Sequence, residues 1–245
     1  MQREIIMPVD LHHYLPEFPR TRHLPYRPNR TDGDLVASVD EVSFLFSFDD
    51  FIIEEKIDGS NCGMMLFEDN PVIRNRDHIL KKGYLKDTPA KIQFRSTWNW
   101  FYDNKEKFEK LQNITESEHV AVYGEWCLAL HGVKYNKLPS YFIAFDVFIH
   151  NTGFLDSTKA RKALQQAGFD VAPLLHDGGP IKNWQTLEEM CEKQSAYGEE
   201  KVEGIYIKLS DDCHVTNRYK LLRSDYVQGS RWNPDEITKQ ELYKG

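Results

Sequence analysis

Apolar runs interrupted by single charges organise this chain. Phe51-Ile52-Ile53 runs into Glu54-Glu55-Lys56-Ile57, and after Asp58-Gly59-Ser60-Asn61 a second run follows, Cys62-Gly63-Met64-Met65-Leu66-Phe67. The pattern predicts two strands, 51–57 and 62–67, joined by a polar turn. Pro71 to Arg76 predicts a short third strand or loop. Phe94, Trp98, Phe101, Tyr102 and Phe108 recur at helical spacing and predict a helix over 92–111. Further strands are expected at 120–126, 141–148, 202–208 and 218–223. The 141–148 run is apolar enough to be buried on both faces. Helices are expected at 157–167, ended by Gly168, and at 187–197, ended by Gly198. Residues 8–34 are rich in Pro, Arg and His without periodicity and read as an extended arm. The expected fold class is α+β, with antiparallel sheets flanked by helices. Residues 1–245 are expected to form one domain, with 1–35 as its N-terminal arm.

Composition narrows the class. The chain has 245 residues, 40% hydrophobic and 28% charged, as in an ordinary soluble protein. No apolar run nears the roughly 18 residues of a membrane span, so no membrane partner is expected. The N-terminus carries a charge pair and a short apolar run, unlike a secretory signal. Cys62, Cys127, Cys191 and Cys213 lack metal or disulfide spacing, and a reducing cytoplasm fits them. The net charge of −7 argues against non-specific coating of nucleic acid but leaves room for a local basic groove. Arg20, Arg22, Arg27 and Arg30 cluster early, and Lys81, Lys82, Lys86, Lys91 and Arg95 form a second group.

Phosphate-loop, dinucleotide-fingerprint, HExxH and GxSxG patterns are absent. Instead Lys56, Asp58, Glu125, Asp146, Glu203, Lys208, Arg218 and Lys220 interrupt apolar strands or sit at their ends. Buried charges must pair or serve a ligand. One cleft lined by strand ends accounts for all of them. A lysine delivered to such a cleft is a nucleophile once deprotonated.

The order of these segments resembles that of the covalent nucleotidyltransferases, a superfamily of ATP-dependent DNA and RNA ligases and mRNA capping enzymes. Lys56-x-Asp58-Gly59-x-Asn61 is similar to their nucleophile motif. Tyr123-Gly124-Glu125-Trp126, Phe145-Asp146-Val147-Phe148, Glu203 to Lys208 and Arg218-Tyr219-Lys220 resemble the later motifs in order. Asn61, where DNA ligases and capping enzymes usually carry Arg, resembles the RNA-editing-ligase branch. Pro19 to Pro25 also resembles a segment upstream of the lysine in RNA ligases.

The resemblance implies a nucleotidyltransferase (ATP-grasp-like ligase adenylation) domain and an ATP-dependent RNA ligase. Lys56 would carry AMP, with ATP as donor and Mg2+ (or Mn2+) as metal. The substrate would be RNA with 5′-phosphate and 3′-hydroxyl ends. It implies metal ligation by Asp58 and Glu203. Nucleotide contacts are implied for Glu55 and Ile57 through their backbone, and for Asn61, Arg76, Glu125, Phe145, Glu203, Lys208, Arg218 and Lys220. Arg74 is an equal alternative to Arg76. Lys220, Arg218 or a metal is expected to depress the Lys56 pKa. About 20 residues follow Arg223, so an OB domain is not expected, and a partner protein is expected to help hold RNA. Rival readings are a DNA-nick ligase, a capping-type guanylyltransferase, and a catalytically idle nucleotide- or RNA-binding module.

Overall fold

The computed structural model describes residues 10–25, 33–48, 51–83, 92–233 and 235–243. Arg27, Arg30, Lys86 and Lys91 lie outside them. Two five-stranded sheets dominate. The first has the order β1(Arg22–His23), β10(Val215–Leu222), β9(Gly204–Ser210), β2(Ile52–Glu55), β8(Leu174–Asp177). The second has the order β4(Asn70–Asn75), β3(Ser60–Phe67), β5(Val120–Trp126), β6(Phe142–Ile149), β7(Gly153–Phe154). All pairings are antiparallel except β1 with β10, which is parallel. The α+β class with antiparallel sheets is therefore observed. No helix among the described residues is long and apolar enough to cross a membrane.

The period of two along the strands decides what faces what. In the first sheet Ile53, Ile205, Ile207, Leu209, Tyr219 and Leu221 join Val42 and Leu45 of α1(Val39–Leu45) and Leu187 and Met190 of α5(Trp184–Cys191) in one core. The alternate positions, Glu54, Tyr206, Lys208, Arg218 and Lys220, turn to the opposite face. In the second sheet Cys62, Met64, Val122, Phe142 and Ala144 pack under α2(Thr97–Asp103), α3(Lys105–Thr115) and α4(Ser157–Ala167). Met65, Ala121, Tyr123, Ile143 and Phe145 form the other face, with Leu15, Ile57 and Leu222 packed on it. The polar face of one sheet thus meets the mixed face of the other, and the cleft lies there.

Three expectations change. The predicted 92–111 helix is two helices. Asn104 leaves helical geometry (φ −121°, ψ 15°) and its side-chain amide donates to the Trp100 carbonyl. The predicted 187–197 helix starts earlier, capped by Asn183, and stops at Cys191. The Ala196 N–H, which a continuing helix would use internally, goes to the Glu55 carboxylate instead. The strands expected either side of the 58–61 turn, β2 and β3, belong to different sheets. The 141–148 strand is buried as expected over 142–147, and it contains a bulge. Tyr123 pairs with Asp146 and Gly124 with Ala144, so Phe145 has no opposite residue. The extra residue lets neighbours Phe145 and Asp146 both project toward the cleft, a common use of bulges beside sites.

The arm's described residues span the two sheets. Arg74 donates to the Leu15 carbonyl and Tyr123 to the Pro16 carbonyl, which fixes the start on the second sheet. Downstream, Arg22 and His23 pair with β10, and the Leu24 N–H donates to the Lys220 carbonyl at 2.9 Å.

Candidate active site

Strand β2 delivers Lys56 to the cleft, and the Lys56 N–H is fixed by the Gly204 carbonyl at 3.0 Å. Its Nζ donates to Glu203 Oε2 at 2.7 Å. Glu203 immediately precedes β9, whose first residue, Gly204, has no space for a side chain: a Cβ there would lie 2.2 Å from the Leu221 carbonyl. Lys56, Ile57, Glu55, Asn61, Arg76, Glu125, Phe145 and Lys220 line one cavity of about 120 Å³. Glu203 joins it through Lys56. Asn61 Oδ1 is buried with no hydrogen-bond partner among the described residues. An unpaired buried acceptor is costly, so it marks a place for a ligand's donor.

The electrostatics depart from expectation. Burial pulls the Lys56 amine down, but Glu203, Glu125 and Asp58 more than offset it and hold its pKa above the ordinary lysine value. The depressed lysine is Lys220, at about 8, through burial and then the nearby Lys56 charge. Burial raises Glu125 to about 8 and Glu203 to about 7, with Lys56 opposing both shifts. Burial thus holds both carboxylates closer to their neutral forms than in water, and the Lys56 charge works against it.

Two arginines are separated clearly. Arg74 is fully buried and donates to three carbonyls, those of Asn75, Leu15 and Arg76. Arg76 is exposed at the cleft wall.

Four of the expected site residues have groups engaged elsewhere. Lys208 does not reach the cleft: its buried Nζ lies 2.8 Å from Glu54, 3.1 Å from Asp146 and 2.7 Å from the Phe145 carbonyl. Arg218 is held by Asp146 Oδ2 at 3.0 Å and lies over the Phe154 ring, 4.4 Å from its centroid. Asp58 is buried, and its Oδ2 accepts from the Gly132 and Val133 N–H groups at 2.7 and 2.6 Å. It anchors that loop and is not on the cavity wall. The Glu55 N–H is committed to the Pro173 carbonyl at 2.8 Å, so the N–H is not available to a base edge. Phe18, Thr21, Glu54, Ala172 and Tyr206 also line the cavity. Tyr206 alternates with Lys208 and could have been placed from strand period alone. Phe18 sits in an aperiodic arm that gives no such signal.

With this geometry in hand, the chain can be placed. The RNA ligase family model matches residues 49–222, more than half of the chain, and the chain belongs to that family. The fold is shared with solved RNA ligase structures from Naegleria gruberi. The form with PPi has a TM-score of 0.58 at 15% identity, covering 89% of this chain and 61% of that one. An aspartate-to-alanine mutant in the apo form has a TM-score of 0.58 at 14% identity, covering 86% and 56%. A glutamate-to-alanine mutant with AMP and Mn gives 0.57 at 14% identity, with the same coverage. This chain spans less than two thirds of those ligases. No match was found among the curated proteins.

Proposed function

We propose that this chain is the nucleotidyl-transferring part of an ATP-dependent RNA ligase, acting through a lysyl-adenylate. The observation that carries the reading is Lys56 in a cleft with Glu203 at 2.7 Å, on a chain of the RNA ligase family. Naegleria RNA ligase structures with ATP and Mn, or AMP and Mn, support the choice of nucleotide and metal.

Lys56 Nζ gives up a proton and attacks the α-phosphorus of ATP. An N–P bond forms, the bond to the bridging oxygen breaks, and pyrophosphate leaves. The 5′-phosphate oxygen of RNA then displaces the lysine and takes the AMP. A 3′-hydroxyl attacks that phosphate, forming the phosphodiester and releasing AMP.

Each residue has a task on this reading. Phe145 offers its ring to the base. The unfilled Asn61 acceptor takes a donor from the nucleotide, and Glu125 a ribose hydroxyl. Lys220 and Arg76 bring positive charge to the phosphates. Glu203 and Glu125 fit a divalent cation because both are carboxylates buried beside Lys56 at the cleft, where burial raises their pKa and a cation would hold them ionised. No group of three or more His, Cys, Asp or Glu among the described residues can hold an ion alone. Phosphate oxygens and water would complete the shell, as is usual for magnesium. The bound ion supplies charge neutralisation for the transferring phosphoryl group. Residues 1–245 then act as one adenylation unit. Cys62, Cys127, Cys191 and Cys213 are unbridged, which supports a reducing cytoplasm.

Incubation with α-labelled ATP or GTP and magnesium tests this. Label is expected from ATP alone and is lost in Lys56→Ala. Label that survives Lys56→Ala would overturn the reading. Nicked duplexes with RNA or DNA at the 3′-hydroxyl side then test the RNA preference, and equal sealing of all-DNA nicks would favour a DNA-nick ligase.

A further inference from the structure

We propose that Phe18, in the N-terminal arm, is a positioning residue for nucleotide binding: it sets the ring of Phe145. The proposal rests on reading the cleft as the ATP site. Phe18 lies outside the residues that the family model matches, 49–222.

Phe18 is half-buried and lines the cavity. Its ring meets Phe145 edge-on, with centroids 5.3 Å apart and planes at 73°. It also contacts Tyr123 at 5.3 Å and Phe154 at 5.5 Å, the latter at 89°. The Arg218 guanidinium carbon lies 5.3 Å from the Phe18 centroid and 4.4 Å from that of Phe154. One ring thus touches the proposed base platform and one cation of the last motif. A ring that only filled the core would be enclosed, whereas this one shows a surface to the cleft.

The backbone around Phe18 explains how a chain without periodicity holds a ring so firmly. Upstream, the Leu15 and Pro16 carbonyls are fixed by Arg74 and Tyr123 of the second sheet. Downstream, β1 is paired with β10 of the first sheet. Between these anchors, Thr21 Oγ1 lies 3.5 Å from the hydroxyl of Tyr206, which flanks Phe145 at 5.9 Å. The arm therefore bridges the cleft and touches both aromatic rings beside the base position. Without the Phe18 edge, the Phe145 ring can turn away from the orientation that meets a base.

The test uses the full chain. Lys56 adenylylation is measured against ATP concentration for the wild type, Phe18→Leu and Phe18→Tyr. Equilibrium ATP binding is measured in the Lys56→Ala background with and without Phe18→Leu. Leucine keeps apolar volume and removes the ring, so it is preferred over alanine for keeping the fold. Losing the edge contact that orients Phe145 is expected to raise KM and the ATP Kd about tenfold. The rate at saturation should stay within about twofold, and Phe18→Tyr should restore KM. A lower melting temperature with unchanged KM and Kd would make Phe18 a packing residue and overturn the proposal. An effect confined to the saturated rate would overturn it too. No ATP binding by the Lys56→Ala protein would overturn both this and the ligase reading. A labelled wild type that is insensitive at Phe18 would overturn this one alone.

Discussion

Replacing Lys208 by Met should unfold the protein more readily without touching nucleotide directly. The Nζ is fully buried among Glu54 at 2.8 Å, Asp146 at 3.1 Å and the Phe145 carbonyl at 2.7 Å. Methionine matches the stem but leaves these acceptors without their central cation. Removing one partner of a buried ion pair typically costs about 3–5 kcal/mol. Here Arg161 still reaches Glu54 at 2.9 Å and Arg218 still reaches Asp146 at 3.0 Å, which puts the cost near the lower end. At roughly 2–4 °C per kcal/mol for a chain of this size, a loss of about 3 kcal/mol lowers Tm by about 6–12 °C. Thermal and urea unfolding of the full chain measure it. Glu54→Gln combined with Lys208→Met should recover part of the loss, since one uncompensated carboxylate goes too. An unchanged Tm with a raised KM for ATP would refute the reasoning, because Lys208 would then be a nucleotide contact.

The other predictions concern the cleft and its loop. Between about pH 5 and 8 the folded protein binds protons at Glu125 and Glu203 that the unfolded chain has released. Their raised pKa values therefore make ligand-free stability fall as pH rises through that window. Glu125→Gln should flatten the decline in melts taken across it, and an unchanged slope would contradict the raised pKa that burial gives Glu125. Across about pH 8 to 10.5 the depressed Lys220 acts the other way: the unfolded chain binds more protons there, so Lys220 adds stability as pH rises, and Lys220→Met removes that contribution. Asp58→Ala should cost roughly 2–4 kcal/mol, since two backbone N–H groups lose a charged acceptor. Hydrogen exchange should then quicken at Gly132 and Val133, with Asp58→Asn intermediate; protected amides there would show the anchor to be unimportant.

Much of the fold was legible because period two is a local property. Val120–Trp126 and Ser157–Ala167 have the predicted bounds, the other predicted strands lie within a few residues of theirs, and β1, β7 and β8 were not predicted. The site was legible where a side chain at a strand end has one direction open to it, as for Lys56, Glu125 and Lys220. Partner choice was not legible. Lys208 and Lys220 are both lysines on one face of neighbouring strands, yet one meets Glu54 and Asp146 and the other meets the cleft. Only the distance between the sheets decides that, and it depends on residues far apart in sequence. The sign of the Lys56 shift was missed for the same reason: three carboxylates converge on it from separate segments.

The bulge at Phe145 has a consequence for comparing this chain with distant members of its family. Before it, one parity of residue number in β6 belongs to the helix side; after it, the parity reverses, so that Ala144 and Val147 share a core. An alignment of this strand to one without the bulge must skip one residue there, or it matches outward positions to inward ones beyond it. The phase jump is a landmark that survives substitution, since it depends on chain count and not on side-chain identity. A one-residue deletion there would erase the landmark and pull Phe145 and Asp146 to opposite sides of the sheet.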